Sequence, residues 1–180
     1  MDLSGFTYVR LSPEKEILSF DCGDTDLNEF IVVDAQNYLQ ELLAVTYLFE
    51  NDNDVVAFFS VLNDKILYEQ VGRNNLWNKI RKNIPHKKHF KSYPAVKLGR
   101  LAVNKPYQKQ HLGTSILDYI KVFFIDRNKT GCRFITVDAY RESLAFYEKN
   151  GFKYMTEDDK NSDTRLMYYD LASLKGLLKI

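Results

Sequence analysis

The stretch VKLGRLAVNKPYQKQHLGTSILDYIKVFFIDR, from Val96 to Arg127, constrains the fold of this chain more than any other. Val96–Val103 is rich in Val and Leu and reads as a strand. Asn104, Lys105 and Pro106 end it. A helix then starts near Leu112–Gly113. Its apolar positions Ile116, Leu117, Ile120, Phe123 and Phe124 fall on one helical face. Between the two lies Gln108-Lys109-Gln110-His111-Leu112-Gly113. A loop that feeds a helix start presents unpaired N–H groups and the positive end of the helix dipole, which together suit a phosphate. Gly113 lets the backbone approach a ligand closely or take a positive φ. Lys109 adds a mobile cation. On local grounds alone, an ordinary βα turn accounts for the same residues.

The remaining bulk properties exclude more than they select. The chain has 180 residues, 45% of them hydrophobic and 27% charged, which suits one globular domain, 1–180, with a sizeable core. The net charge is +1, so no global field points to nucleic acid or membrane. The two cysteines, Cys22 and Cys132, sit in no C-x-x-C and beside no spaced histidines, so no metal site is expected. Neither a signal-peptide h-region nor a run of ~18 apolar residues is present. The expected location is the cytoplasm.

Taken in order, Phe6–Leu11 reads as a first strand. Asp24 or Thr25 caps a helix over roughly Asp26–Leu42, with Leu27, Phe30, Ile31, Ala35, Tyr38 and Leu42 at helical spacing. Ala44–Glu50 and Val55–Leu62 form a hairpin through Asn51–Asp54. Asp64–Val71 reads as a short helix. Asn78–Lys91 gathers Lys79, Arg81, Lys82, Lys87, Lys88 and Lys91, with Trp77 and Phe90 at its flanks. This is either a solvated insertion or a patch for a polyanion with aromatics to stack on bases. Arg133–Ala139 alternates as a strand, Arg141–Lys149 is a short helix, and Asn150-Gly151 is its left-handed stop. Thr164–Leu171 is a last strand, and Leu171–Ile180 a terminal helix. The order implies a mixed α/β sheet, mostly antiparallel, with helices on both faces.

Two motifs in that frame resemble those of the GNAT (GCN5-related) N-acetyltransferases. Gly99–Val103 followed by Gln108–Gly113 is similar to motif A, Gln/Arg-x-x-Gly-x-Gly/Ala, which cradles the pyrophosphate of acetyl-CoA. Gln108 and Gly113 match its ends, while His111 stands where the first glycine usually is. Either the backbone there takes a conformation that a non-glycine residue can hold, or the loop binds CoA more weakly. Ser143-x-x-Phe146-Tyr147-x-x-x-Gly151-Phe152 resembles motif B. The resemblance covers nearly the whole chain and implies the GNAT acyl-CoA N-acyltransferase fold. It also implies acetyl-CoA as cosubstrate, held by Leu101, Ala102, Val103, Gln108, Lys109, Gln110, His111, Leu112, Gly113, Thr114 and Ser143.

The family places a tyrosine at the thioester sulfur, which makes Tyr147 the candidate general acid. A phenol of pKa ~10 can hand its proton to a departing thiolate. Tyr140, at a strand end, is the rival. A core tyrosine on an amphipathic helix is the plain alternative. Many members carry a glutamate base on the central strand, but Val96–Val103 holds Lys97 and Arg100 and no carboxylate. An acceptor of low pKa would need no strong base: an α-amine titrates at ~7.7–8.0 and a lysine side chain at ~10.4. Either cysteine as a ping-pong nucleophile is the less favoured route.

Three further stretches are similar to GNAT toxins of bacterial type II toxin–antitoxin modules. They are Phe20–Phe30, with its F-x-C-G opening, Thr46–Glu50, and Pro94–Val103. Those enzymes acetylate the α-amine of aminoacyl-tRNA and are neutralised by a ribbon-helix-helix antitoxin. The resemblance therefore implies charged tRNA as a substrate, such an antitoxin as a partner, and a possible homodimer. Arg100, Arg81, Lys82, Lys87 and Lys88 are the candidate tRNA contacts. The other readings are an acetyltransferase of small amines or peptides, and a non-catalytic CoA- or RNA-binding module.

Overall fold

The computed structural model describes residues 3–71, 78, 91–126, 128 and 131–176. Its strands are β1 (Thr7–Arg10), β2 (Val45–Glu50), β3 (Val55–Leu67), β4 (Ser92–Val103), β5 (Phe134–Tyr140), β6 (Lys153–Tyr154) and β7 (Thr164–Asp170). They make a seven-stranded mixed sheet in the order β1-β2-β3-β4-β5-β7-β6. The β4/β5 pair is parallel, and the pairs β1/β2, β2/β3, β5/β7 and β6/β7 are antiparallel. The helices are α1 (Thr25–Glu29), α2 (Ala35–Gln40), α3 (Leu112–Ile125) and α4 (Leu144–Lys149). The mixed, mostly antiparallel sheet expected from the element order is the one formed.

The chain divides into two compact units, Met1–Asn63 with Leu98–Phe123, and Asp64–Lys97 with Phe124–Ile180. In the first, Phe30 and Ile31 in the turn between α1 and α2, and Ala35 at the start of α2, are buried against Leu11, Leu48, Val55, Phe58 and Ala102. An aromatic set fixes α3 to β1–β3. Tyr119 lies 5.0 Å from Tyr8 and 5.6 Å from Phe49 between ring centroids, and Phe123 lies 5.4 Å from Tyr47. Rings of this size supply much of the apolar area that a helix can bury. In the second unit, Ile66, Val71, Tyr93, Ala95, Phe134, Met155 and Tyr168 form the core. The β4/β5 ladder runs from Ala95↔Phe134 to Lys97↔Thr136.

Three local expectations change. The helix expected over Asp26–Leu42 is α1, then a π turn over Phe30–Asp34, then α2. Asp24 is its cap, accepting from Leu27 N at 3.1 Å. The extra residue of the π turn keeps Phe30, Ile31 and Ala35 all on the core side. Leu42, expected on that face, is 91% exposed and left-handed at φ 57°. Asp64–Val71 is no helix: β3 runs through it to Leu67, and a 3-10 turn covers Tyr68–Gln70. Burial of Ile66 and the Thr136 hydroxyl donating to Asp64 Oδ2 at 2.5 Å hold this segment extended. The start of the terminal helix expected over Leu171–Ile180 is a 3-10 turn over Leu171–Leu174, and residues 177–180 lie outside the described residues. Apart from Asn78 and Lys91, the basic stretch Asn78–Lys91 lies outside the described residues, Arg81, Lys82, Lys87 and Lys88 included.

Candidate active site

The loop after β4 is built by a change of direction with every link braced. Gly99 lets β4 pass closely over β3, since a Cβ there would sit 2.9 Å from Leu62 Cδ2. Asn104 stops the strand. It is 4% exposed, its N–H donates to Val56 O, and its Nδ2 donates to Val55 O, each at 2.9 Å. Pro106 then starts a 3-10 turn, Lys105–Tyr107. The Tyr107 hydroxyl accepts from Asn51 Nδ2 at 2.6 Å. Gln108 Nε2 donates to Val103 O at 2.9 Å and to Cys22 O at 2.8 Å. Gln110 Nε2 donates to Pro106 O at 3.0 Å.

Lys109 and His111 both have φ near 61°, and Ser115 N–H donates back to His111 O at 3.2 Å as α3 begins. A left-handed residue with a Cβ costs about 1–2 kcal/mol, and histidine is among the types that tolerate it. His111 thus holds a left-handed conformation that a histidine can adopt. The first N–H groups of a 14-residue helix lack intrahelical acceptors, and Lys109 and His111 beside them are exposed. Donors, dipole and cation together fit a pyrophosphate. Leu112 is buried under the loop, and Gly113 and Thr114 open the helix half-buried. Leu101 and Val103 are half-buried and Ala102 is packed in the core.

In the second unit, Ser143 ends a 3-10 turn and α4 follows, with Tyr147 at its centre. Tyr147 is 7% exposed, and its ring lies 5.2 Å from Phe146 and 5.3 Å from Phe152. Burial pushes its phenol well above the ordinary value, so it stays protonated. Its hydroxyl makes no hydrogen bond among the described residues. Gly151, at φ 84°, gives the helix its left-handed stop, and a Cβ there would lie 3.1 Å from the Tyr169 ring. Tyr140 is 57% exposed.

Residues 43–154 match the model of the acetyltransferase (GNAT) domain. The chain belongs to the GNAT acetyltransferase family. Solved structures of similar fold include a tyrosine-to-phenylalanine mutant of KacT, with TM-score 0.78 and 20% identity over 97% of this chain and 100% of that one. AtaT complexed with acetyl-methionyl-tRNAfMet gives 0.76 and 19% over 96% and 98%. AtaTR bound with AcCoA gives 0.73 and 19% over 96% and 98%. The fold is thus the GNAT fold. As an N-acetyltransferase of this family, the chain takes its acetyl group from acetyl-CoA.

The remaining candidate residues are placed as follows. Lys97 Nζ is paired to Asp138 Oδ2 of the neighbouring strand at 2.7 Å. Arg100 is exposed, with its guanidinium 5.2 Å from the centre of the Phe30 ring. Burial raises the pKa of both cysteine thiols. Cys132 Sγ donates to Phe134 O at 3.2 Å and Cys22 Sγ to Asn28 Oδ1 at 3.2 Å, so neither is poised as a thiolate. The ties from Asp21, Cys22 and Asn51 to the loop join residues more than 50 positions apart and are not expected from the sequence. The available signal was Asp21-Cys22-Gly23, an Asx-turn pattern with glycine at its third position.

Proposed function

We propose that the chain transfers an acetyl group directly from acetyl-CoA to a primary amine, and that the acceptor is the α-amine of an aminoacyl-tRNA. The observation that carries the donor half is the loop, whose left-handed Lys109 and His111 keep a pyrophosphate cradle without the usual glycine. Acetyl-CoA supplies the acetyl group as a thioester. The N–H groups of Lys109–Thr114 and the Lys109 ammonium hold the pyrophosphate, while the Gln108 N–H closes the preceding turn on Lys105 O. Leu101, Ala102 and Val103 offer backbone groups to the pantetheine arm. Gln108 already engages Val103 O, so this carbonyl is shared. Tyr147, buried and protonated, gives its Oη proton to the leaving sulfur.

Support for the acceptor comes from chemistry and from likeness. No carboxylate lies on Val96–Val103, which suits an amine that is partly neutral near pH 7. AtaT, of similar fold, is seen with acetyl-methionyl-tRNAfMet. It is also seen as a mutant bound to the C-terminus of the antitoxin AtaR, and an antitoxin is the partner this reading implies. Arg100, with Arg81, Lys82, Lys87 and Lys88, would contact tRNA. No helix among the described residues is long and apolar enough to cross a membrane.

Labelled acetyl-CoA incubated with bulk tRNA, charged and uncharged in parallel, tests this. Label on charged tRNA alone, weakened by salt, is the expected result. No label on either, with acetyl-CoA binding intact, would overturn the acceptor and leave the acetyltransferase to small amines or peptides.

A further inference from the structure

The turn Asp21-Cys22-Gly23 precedes the loop by more than 80 residues, yet it touches the loop at four points. Lys105 N–H donates to Asp21 O at 2.9 Å, and Lys105 Nζ meets Asp21 Oδ2 at 2.6 Å. Asp21 N–H donates to Asn104 Oδ1 at 3.4 Å, and Gln108 Nε2 donates to Cys22 O at 2.8 Å. The turn is itself rigidly made. Asp21 Oδ1 accepts from Gly23 N at 2.8 Å and from Asn28 Nδ2 at 2.9 Å, while Cys22 N donates to Asn28 Oδ1 at 2.9 Å. Gly23 sits at φ 90°, and a Cβ there would be 3.0 Å from Lys105 Cε. The turn is thus shaped to let the lysine stem lie along it.

We infer that Asp21 is a positioning residue of the donor site, holding the pyrophosphate loop in its ligand-ready form through Lys105 while the Cys22 carbonyl does the same through Gln108. This rests on the reading that the loop takes the pyrophosphate of CoA. Residues in left-handed conformations persist only where their surroundings over-determine them. Lys109 and His111 are two such residues in sequence positions just after the braced segment. The Gln108 carboxamide spends its donor on two carbonyls, Val103 O and Cys22 O, which ties the strand end to the turn and fixes the loop between them. The backbone N–H groups beyond it are left to meet a ligand. Three hydrogen-bonding partners, Lys105, Asn28 and the Gly23 N–H, keep the Asp21 carboxyl ionised, its pKa lowered to about 2, chiefly by Lys105. The brace therefore persists throughout the physiological range.

The test separates positioning from mere stability by using two probes. CoA binding is measured by titration calorimetry, and pantetheine, which lacks the pyrophosphate, by ligand-observed NMR. Wild type, Asp21→Asn, Asp21→Ala and Lys105→Arg are compared, with Tm recorded for each. The expected result is that Asp21→Asn and Asp21→Ala weaken CoA about fivefold, the upper end for an exposed ion pair. Pantetheine binding stays within about twofold, and Lys105→Arg, which keeps the charge, loses less CoA affinity than either Asp21 variant. Unchanged CoA affinity in both Asp21 variants would overturn the inference. So would an equal loss for CoA and pantetheine with a fallen Tm, which marks a structural role. A wild type that fails to bind CoA would instead overturn the donor-site reading itself.

Discussion

The two candidate halves of the chemistry are built in opposite ways. The loop at residues 104–113 is made of backbone, held by many modest ties: Asn104 to β3, Tyr107 to Asn51, Lys105 to Asp21, Gln108 to two carbonyls. The α4 region rests on a single side chain, Tyr147, sealed between Phe146 and Phe152. A distributed site loses function by degrees when one tie is cut. A site that depends on one proton loses it at once.

The sharpest test of that contrast is Tyr147→Phe. The ring and its packing remain and only the hydroxyl goes. The rate of transfer is expected to fall about 10²–10⁴-fold, as for removal of a general acid, while calorimetry finds CoA affinity unchanged. A variant with near-normal turnover would assign the tyrosine to the core alone.

His111→Val comes next. A β-branched side chain resists φ near 61°, where His111 now stands. CoA affinity is expected to drop about tenfold, of the order of one left-handed residue's strain, and His111→Gly to restore it. Equal binding by all three would mean the left-handed turn is dispensable.

Gly151→Ala addresses the tyrosine's support. It places a Cβ at φ 84°, 3.1 Å from the Tyr169 ring. Stability should fall by about 1–2 kcal/mol, read as a lower Tm, with CoA binding untouched.

A pH series sharpens the same point. Burial raises the Tyr147 pKa above its ordinary 10.0. The folded state then keeps a proton that the unfolded chain releases. Stability is unaffected by this group below pH 10 and declines above it by about 1.4 kcal/mol per pH unit. Denaturant unfolding of Tyr147→Phe should show a flatter alkaline limb. The smallest effect is reserved for Cys22→Ser and Cys132→Ser. Each is expected to leave turnover within about twofold, because the direct route needs no thiol nucleophile. A loss of 100-fold at either would reinstate one.

How much of this was readable in advance follows from the range of the interactions. The strand, the loop and α3 were legible because apolar spacing within Val96–Arg127 fixes them locally. The tyrosine was legible only through motif B, since its ring alone reads as core. The π turn at Phe30–Asp34 was not, because the same apolar spacing fits a regular helix until tertiary packing asks Phe30, Ile31 and Ala35 to face one way. The end of β3 was not legible because burial of Ile66 and the Asp64–Thr136 bond decide it, and both act across the sheet. The left-handed state of His111 depends on ties whose partners lie far away in sequence. Locally, only the Asx-turn pattern of Asp21-Cys22-Gly23 marks one end of them.

Leu42 points in another direction. Helix α2 gives way to a leucine in the left-handed region with 91% of its surface in water. Glycine and asparagine are the residues suited to such a stop, and an exposed leucine adds nothing to offset the backbone cost. Natural chains rarely sit at their stability optimum, and here the slack has an address. Leu42→Gly should make a sturdier protein with its chemistry intact, a convenient background in which to place the more damaging substitutions above.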